Sequence, residues 1–257
     1  MTDQKQDFPD FYVTGPQPCP YLAGRMERKL FTHLRLDKSD GMIDTLLRGG
    51  FRRSQNIAYI PYCDGCAACV SVRVPVDSFK PTRSQLRILK RNRDLWATDH
   101  DNTPTSEQYA LFRSYIEDRH GQGGMADMTV GDFAVMVRDS VVDTRVREYR
   151  VRAPGGLGGD PELSDGRAGA QELVGATLCD RLSDGLSMVY SFFEPEHAHR
   201  SLGTYMILEH IERARALGLG YVYLGYWIAG SRKMAYKAQF TPQEHLTPNG
   251  WVAAPPR

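Results

Sequence analysis

Four cysteines carry the clearest metal-ligand pattern in this 257-residue chain. Cys63, Cys66 and Cys69 stand at C-x-x-C-x-x-C spacing, and Cys19 supplies a fourth thiolate if the N-terminal arm folds back. Thiolates so spaced are soft ligands for zinc or an iron–sulfur cluster, the alternative being reduced thiols buried as small hydrophobes. Cys179 lies in an apolar run and reads as core; five cysteines are an odd number, which argues against a disulfide framework. A second chemistry is anion binding. Lys80, Arg83, Arg87, Lys90, Arg91 and Arg93 follow one another without an acid among them, and Arg52 and Arg53 stand just upstream. With no acid at i+4 such a face repels itself in the free protein, which favours phosphate over solvation alone as its purpose. His197 and His199 have no third ligand nearby and read as surface or RNA-facing, with Arg200 beside them the better phosphate contact.

These residues need elements to hold them. The spacing of Arg83, Arg87, Lys90 and Arg91 puts them on one face of a helix within residues 80–93, with Leu86 and Leu89 nearer the other face. Strands over 57–60 and 70–76 flank the cysteines; in the second, Val70, Val72, Val74 and Val76 alternate with Ser71, Arg73 and Pro75. Met42, Ile43, Leu46 and Leu47 form the apolar stripe of a helix within 39–50, capped by Ser39 or Asp40 and stopped at Gly49-Gly50. Pro9, Pro16, Pro18 and Pro20 make residues 8–21 an extended arm. Downstream the pattern predicts a helix over 107–119 and strands near 133–137, 144–151, 173–179 and 187–193. A helix over 201–217, a strand over 221–227 and a helix from Ser231 to Phe240 follow. Residues 151–170 hold six glycines and read as a mobile surface loop, 153–170, between neighbouring strands. Several strands followed by alternating strand and helix indicate a mixed α/β fold.

Composition narrows the class. At 41% hydrophobic and 25% charged residues there is enough apolar material for a packed core, which excludes wholesale disorder. No stretch nears the roughly 18 unbroken apolar residues of a membrane span. The acidic start, MTDQKQDFPD, lacks the layout of a signal peptide, so a cytoplasmic location is expected. The formal net charge of +1 is a cancellation: residues 21–93 carry 15 basic and 6 acidic side chains, whereas residues 94–257 carry 16 and 22. A basic block beside an acidic one suggests that one part meets a polyanion. The expected division is residues 1–100, with the cysteines and the basic segment, and residues 101–257, with the mobile loop.

The segment from His199 to Tyr205 resembles the R-x-x-G-x-G/A loop of GNAT acyltransferases, in which helix-start amides hold a pyrophosphate. Ala235 to Phe240 is similar to the tyrosine-bearing helix, here with Tyr236, that closes that fold. In this resemblance Gly203 permits close backbone approach, but Tyr205 stands where a second Gly or Ala is wanted. Its ring obstructs a pyrophosphate, so a donor other than acetyl-CoA is expected. The expected fold is thus mixed α+β, a GNAT-like acyltransferase domain behind a basic, cysteine-containing N-terminal region.

Longer strings resemble one family. CPYLAGRMERKLFTHL, GFRRSQNIAYIPYCDGCAACVSVRV, SFKPTRSQLRILKRN, SDGLSMVYSFFEPEHAHRSLGTYMILEHI and YVYLGYWIAGSRKMAYKAQF are similar to bacterial aspartate/glutamate leucyltransferases. These are relatives of the eukaryotic arginyl-tRNA:protein transferases of the N-degron pathway. The likeness covers almost the whole chain except the glycine-rich insert. It implies transfer of leucine from leucyl-tRNA to the α-amine of proteins beginning with Asp or Glu, which marks them for degradation. The partners expected are leucyl-tRNA and such proteins, with neither DNA nor membrane. An aminoacyl ester is already activated, so the chemistry requires no cofactor; positioning and stabilisation of the tetrahedral oxyanion suffice.

The resemblance also implies roles. Glu194, in FFEPE, occupies a position usually acidic in the family and orders the acceptor amine or takes its proton through water, a plain loop carboxylate being the alternative. Tyr205, Tyr223 and Tyr226 line the leucyl-adenosine pocket, with Tyr226 and Glu194 as the catalytic pair, unless these aromatics are core. Lys233 and Lys237, one helical turn apart beside Tyr236, pair with the acceptor's acidic side chain or with the tRNA end, or form a solvated face. The eukaryotic relatives bind an iron–sulfur cluster or zinc through N-terminal cysteines; Cys19 matches the start of a C-x-x-C there, whose second position is Leu22 here. The competing readings are arginine as the donor amino acid, a small-molecule acetyltransferase, and a thiolate-metal RNA-binding or redox-sensing module without transferase activity.

Overall fold

The computed structural model describes residues 9–34, 40–120, 125–152 and 171–255. The glycine-rich loop 153–170, Phe8 and Ser39 lie outside the described residues. The N-terminal region forms β1 (Tyr12–Val13), β2 (Gln17–Pro18), β3 (Met26–Glu27), β4 (Lys29–His33), α1 (Asp40–Arg48), β5 (Arg52–Ser54), β6 (Ile57–Pro61) and β7 (Cys69–Pro75). After it come α2 (Arg83–Arg91), β8 (Trp96–Asp101), α3 (Ser106–His120), α4 (Val130–Arg138), β9 (Thr144–Arg152), β10 (Gln171–Arg181) and β11 (Gly185–Phe193). The remainder is a 3-10 turn at Pro195–Arg200, α5 (Leu202–Ala216), β12 (Tyr221–Ile228), a 3-10 turn at Ala235–Gln239, β13 (Glu244–Thr247) and β14 (Gly250–Ala253).

Caps explain where the helices begin. Thr82 opens α2: its Oγ1 accepts from the Gln85 amide at 3.3 Å, and Gln85 Oε1 accepts from the Thr82 amide at 2.8 Å. Thr129 and Asp132 repeat the device at α4, at 3.2 and 2.9 Å. The strand expected near 133–137 is therefore a helix. Phe133 and Val137 stand one turn apart and are both buried, a period of four that alternation does not produce. The helix expected from Ser231 to Phe240 is a shorter 3-10 turn. The Ser231 carbonyl accepts from both Met234 and Ala235, and the backbone then tightens instead of continuing as α.

Eight strands make the central sheet, in the order β14-β13-β7-β12-β11-β10-β9-β8. Its pairings are antiparallel except β11 with β12, which run parallel because α5 crosses between them. Eight consecutive residues of β10, Leu173 to Asp180, are buried, so both faces of the sheet are covered. On one face Ile207, Leu208 and Ile211 of α5 pack with Leu186, Met188, Val222 and Leu224. A second core joins Leu111, Phe112 and Ile116 of α3 and Phe133 of α4 to Ala176, Leu178 and Phe192. A third joins Ile43 and Leu47 of α1 and Ala58 of β6 to Leu182 and Tyr223. Burying each such side chain is worth about 1.5–3 kcal/mol.

A small antiparallel sheet, β1-β4-β6-β5, carries the N-terminal region onto this frame. The two regions expected at 1–100 and 101–257 share the large sheet: β7, from the first, pairs with β12 and β13 of the second, and β8 straddles residue 100. Their docking centres on Arg53 of β5. Its Nε and Nη2 reach the two carboxylate oxygens of Asp180 on β10 at 2.6 and 2.7 Å, with side chains 1% and 0% exposed. Nη2 also donates to Thr144 Oγ1 at 3.2 Å and Nη1 to the Gln55 carbonyl at 3.0 Å. Arg53 is thus a docking ion pair and has no face left for a phosphate, contrary to its expected place in the basic patch. Arg53→Met, which strands the Asp180 charge, should lower unfolding free energy by about 3–5 kcal/mol in urea titration. Arg53→Met with Asp180→Leu should recover most of that loss.

Candidate active site

The parallel pairing of β11 with β12 lasts only from Gly185–Tyr221 to Ser187–Tyr223, after which the strands part. Arg52 enters this gap from β5. Its Nη2 donates to the carbonyls of Met188 and Val189, the next residues of β11, at 2.6 and 3.1 Å. On the β12 side the guanidinium lies against Gly225. A Cβ there would stand 2.7 Å from Arg52 Cζ, and the φ of +74° favours glycine as well. Nε and Nη1 of Arg52 make no hydrogen bond among the described residues, so the cation faces the gap with donors to spare. Arg52 was expected on the surface patch; it is instead the lining of the cleft between the parted strands.

Lys237 comes to the same cleft from the 3-10 turn. It is 8% exposed, and its Nζ donates to the Tyr226 carbonyl at 2.7 Å. Burial, aided by repulsion from Arg52, pushes its ammonium down to about 7. Lys233 is exposed on the preceding turn, so the expected helical pairing of the two lysines is absent. Tyr236, beside Lys237, is partly exposed. Tyr226 is buried in the wall, and its hydroxyl lies 3.2 Å from the Gly50 carbonyl and 3.1 Å from the Tyr59 carbonyl. Its proton is thus committed to backbone, which holds the ring in the wall of the cleft.

The two other expected pocket residues, Tyr223 and Tyr205, lie elsewhere, and Arg200, the expected phosphate contact, is already paired. The Tyr223 hydroxyl accepts from Arg73 at 3.0 Å and stands 3.1 Å from Asp184, at the end of β12 where the strands are still paired. Tyr205 is packed edge-on against Tyr149 in the α5 core, with ring centres 5.9 Å apart. Its ring therefore does not obstruct the start of α5. Arg200 makes a two-pronged ion pair with Asp94 at 2.9 and 2.8 Å, which neutralises it as a phosphate contact. Gly203 does serve close approach, but to a ring: a Cβ there would lie 3.3 Å from Phe193 Cε1.

Glu194 ends β11, where its Oε1 accepts from the Ser114 hydroxyl of α3 at 2.9 Å. Tyr190, two turns of the pleat earlier, has a buried hydroxyl without a partner among the described residues. Sequence reasoning missed both Ser114 and Tyr190, since a lone Ser in a helix and a Tyr in a strand carry no local signal.

The basic helix sits at the other rim. Arg83, Arg87 and Lys90 are exposed, and Arg87, Lys90, Arg91, Arg93 and Asp94 line an open concavity of about 490 Å³. The end of α2 is fastened to the turn before α5: Arg91 donates to the His199 carbonyl, and Asn92 Nδ2 to that of Arg200 at 2.9 Å. His197 Nε2 lies 3.3 Å from Glu172, which leaves the histidine pair as ordinary surface side chains.

Cys19, Cys63, Cys66 and Cys69 line a single cavity of about 70 Å³, whose far wall includes Tyr59 and Tyr226. The loop between Pro61 and Cys69 folds back through a backbone β-bridge in which the Cys66 amide donates to the Cys63 carbonyl at 3.3 Å, both thiols being free. Burial, with the neighbouring thiols Cys63, Cys19 and Cys66, pushes Cys69 up to about 11. The Ala68 amide and Arg25 hold Cys66 below its ordinary value. Among the described residues no three histidine, cysteine or acidic side chains stand close enough to hold a metal ion. The thiols converge without forming a closed coordination sphere.

Residues 17–87 match the family described as arginine-tRNA-protein transferase, N terminus, and residues 107–247 that described as its C terminus. The aspartate/glutamate leucyltransferase of Rhodopseudomonas palustris (strain TIE-1) is 58% identical over 252 residues, covering 98% of this chain and 95% of the relative. That of Methylobacterium sp. (strain 4-46) is also 58% identical over 252 residues, covering 98% and 99%. Among solved structures, FemX aligns at 11% identity and a TM-score of 0.47, covering 82% of this chain and 67% of FemX. The C-terminal domain of a lysylphosphatidylglycerol synthetase from Agrobacterium fabrum aligns at 12% identity and 0.44, covering 84% of this chain and 64% of that one. Sequence identity of this order, sustained from the cysteine arm through the parted strands to the lysine turn, assigns the chain: it belongs to the aspartate/glutamate leucyltransferase family.

Proposed function

We propose that this chain is an aminoacyltransferase that moves leucine from leucyl-tRNA to the α-amine of proteins beginning with Asp or Glu, an addition that marks them for degradation by the N-degron route. The observation that carries the reading is the near full-length identity to relatives so named. We place the reaction in the cytoplasm, where aminoacyl-tRNA is made. Among the described residues no helix is long and apolar enough to cross a membrane.

The geometry supports a division of labour. The acyl-transfer half follows a GNAT-like plan, as suggested by its order of strand, two helices, three strands, helix and strand, and by a parallel pair that parts. Phosphates of the tRNA lie along the concavity of Arg87, Lys90, Arg91 and Arg93, with Arg83 extending it. The leucyl ester reaches the cleft between β11 and β12. There Arg52, a permanent cation with free donors, receives the side-chain carboxylate of the acceptor's first residue. Glu194 orders the α-amine from the end of β11. That amine has a reference pKa near 8, so a useful fraction is neutral near pH 7 and can attack the ester carbonyl. The chemistry needs no cofactor. The four cysteines are the donor types that zinc or an iron–sulfur cluster takes and they line one cavity, but as they stand no three are close enough to hold a metal, so a bound metal requires them to draw together; no step of the transfer runs through it.

A transfer assay crossing leucyl- and arginyl-tRNA with peptides beginning with Asp, Glu, Arg and Lys should label Asp and Glu peptides from leucyl-tRNA. Label from arginyl-tRNA alone would reassign the donor, and none in any combination would remove the transferase reading. Changing Arg83, Arg87 and Lys90 together to Ala should lower the salt slope of tRNA affinity by about 2–3. An unchanged slope would leave α2 without a role in binding. Anaerobically purified protein should contain iron or zinc that a Cys63→Ser, Cys69→Ser variant lacks; absence of both metals from the parent would reject a bound metal.

A further inference from the structure

Lys237 presents a physical problem that its part in the fold does not resolve. Its amine is buried, its one hydrogen bond goes to the Tyr226 carbonyl, and among the described residues Arg52 is the charged group acting on it. Among the described residues no carboxylate pairs with it. Around it stand Arg52 from β5, the Tyr226 backbone from β12, Tyr236 from its own turn and Gln243, whose Nε2 donates to the Lys237 carbonyl at 2.9 Å. The Tyr226 hydroxyl is turned away, onto the carbonyls of Gly50 and Tyr59. Burying an ammonium beside a guanidinium with no counter-ion is costly, and a methionine of similar length would fill the space without that cost. A buried amine next to a cation sheds its proton, and the lysine is then a neutral base with a free lone pair.

On the transferase reading given above, we infer that Lys237 is the general base of the transfer: held in the parted strands by the Tyr226 carbonyl, it takes the proton that the acceptor amine releases. The pairing with Arg52 follows from the substrate's own covalent structure. In an N-terminal Asp or Glu the carboxylate and the α-amine belong to one residue, so a cation for the first and a base for the second must adjoin. The nitrogen of the neutral α-amine attacks the ester carbonyl carbon and forms the new C–N bond. Its proton passes to Lys237 Nζ, and the resulting ammonium gives a proton to the ribose oxygen as the C–O bond breaks. The products are the peptide with an added leucine and tRNA with a free hydroxyl, and Lys237 ends neutral, as it began. The ordinary lysine value lies far above neutrality, and its fall to about 7 matches this service near neutral pH.

The test compares wild type, Lys237→Arg and Lys237→Met in single-turnover transfer from leucyl-tRNA to an Asp-initiated peptide, across pH 5.5–9.5, with thermal unfolding and tRNA affinity measured alongside. Lys237→Met keeps the side-chain volume and should remain folded. Both variants should bind tRNA normally yet lose about 10²–10⁴-fold in rate with little change in peptide KM. Wild-type kcat/KM should rise with pH through a limb near 7, since the base works unprotonated. That limb should vanish in both variants, leaving only the acceptor amine near 8. If Lys237→Arg retains the rate while Lys237→Met raises only the peptide KM, the residue supplies charge and the inference is overturned; a limb near 7 that survives in both variants overturns it equally. A wild type with no transfer at all would instead count against the functional reading itself.

Discussion

The bidentate pair between Arg53 and Asp180 is the constraint on which the site depends. It is buried on both sides, it joins the small N-terminal sheet to β10, and its remaining donors are taken by Thr144 and the Gln55 carbonyl. Successive residues of a strand point to opposite sides. Once Arg53 is committed to the interior, Arg52 must point the other way, and that way is the cleft where β11 and β12 part. Two adjacent arginines of the same type therefore do unlike work: one locks two sheets together, and the other brings a cation to the cleft between β11 and β12. Buried ion pairs contribute little net stability, but removing one partner is costly because the other charge is left uncompensated. A slip of one residue along β5 would exchange the two arginines.

The basic character of the N-terminal region is correspondingly not one surface. Arg53 is spent inside, Arg52 faces the cleft, and Arg73 is held by Glu244 at 2.7 Å while its guanidinium lies 3.5 Å from the Tyr221 ring centre. Among the described residues, Arg83, Arg87 and Lys90 stay exposed on one face of α2. That helix is fastened at its end to the turn that precedes α5, which fixes its basic face relative to the β11–α5 junction.

Much of this was legible in the chain, and what was not has a common cause. The apolar stripe of α5, the alternation of β7 and the spacing of α2 are local patterns, and the elements follow them. The convergence of Cys19 with the three later cysteines was also open to expectation, because a proline-rich arm has few places to lie. Local signal was overlooked once, at α4, where Thr129 and Asp132 form a capping box that outweighs the β-branched run behind it. The roles of Arg52, Arg53, Tyr223 and Lys237 depended on Met188, Asp180, Asp184 and Tyr226, which lie far away in sequence for the first three. For Lys237 the spacing was short, but the departure from α-helical backbone turned it inward. Nothing in a residue's type tells whether its charge will be buried, and burial is what turns Arg53 from a surface cation into a strut and lowers the proton affinity of Lys237.

The placement of β7 carries a consequence for how the molecule comes to exist. Its neighbours in the large sheet, β12 and β13, begin at Tyr221 and Glu244, while β7 itself ends at Pro75. The strand that leaves the ribosome early thus waits for nearly the whole chain before it finds either edge to pair with. Contacts of such long sequence separation slow folding and prolong the exposure of unpaired apolar strand. Until those strands arrive the valines of β7 have no partner in the large sheet, so the N-terminal hundred residues hold one of its strands without either of its neighbours.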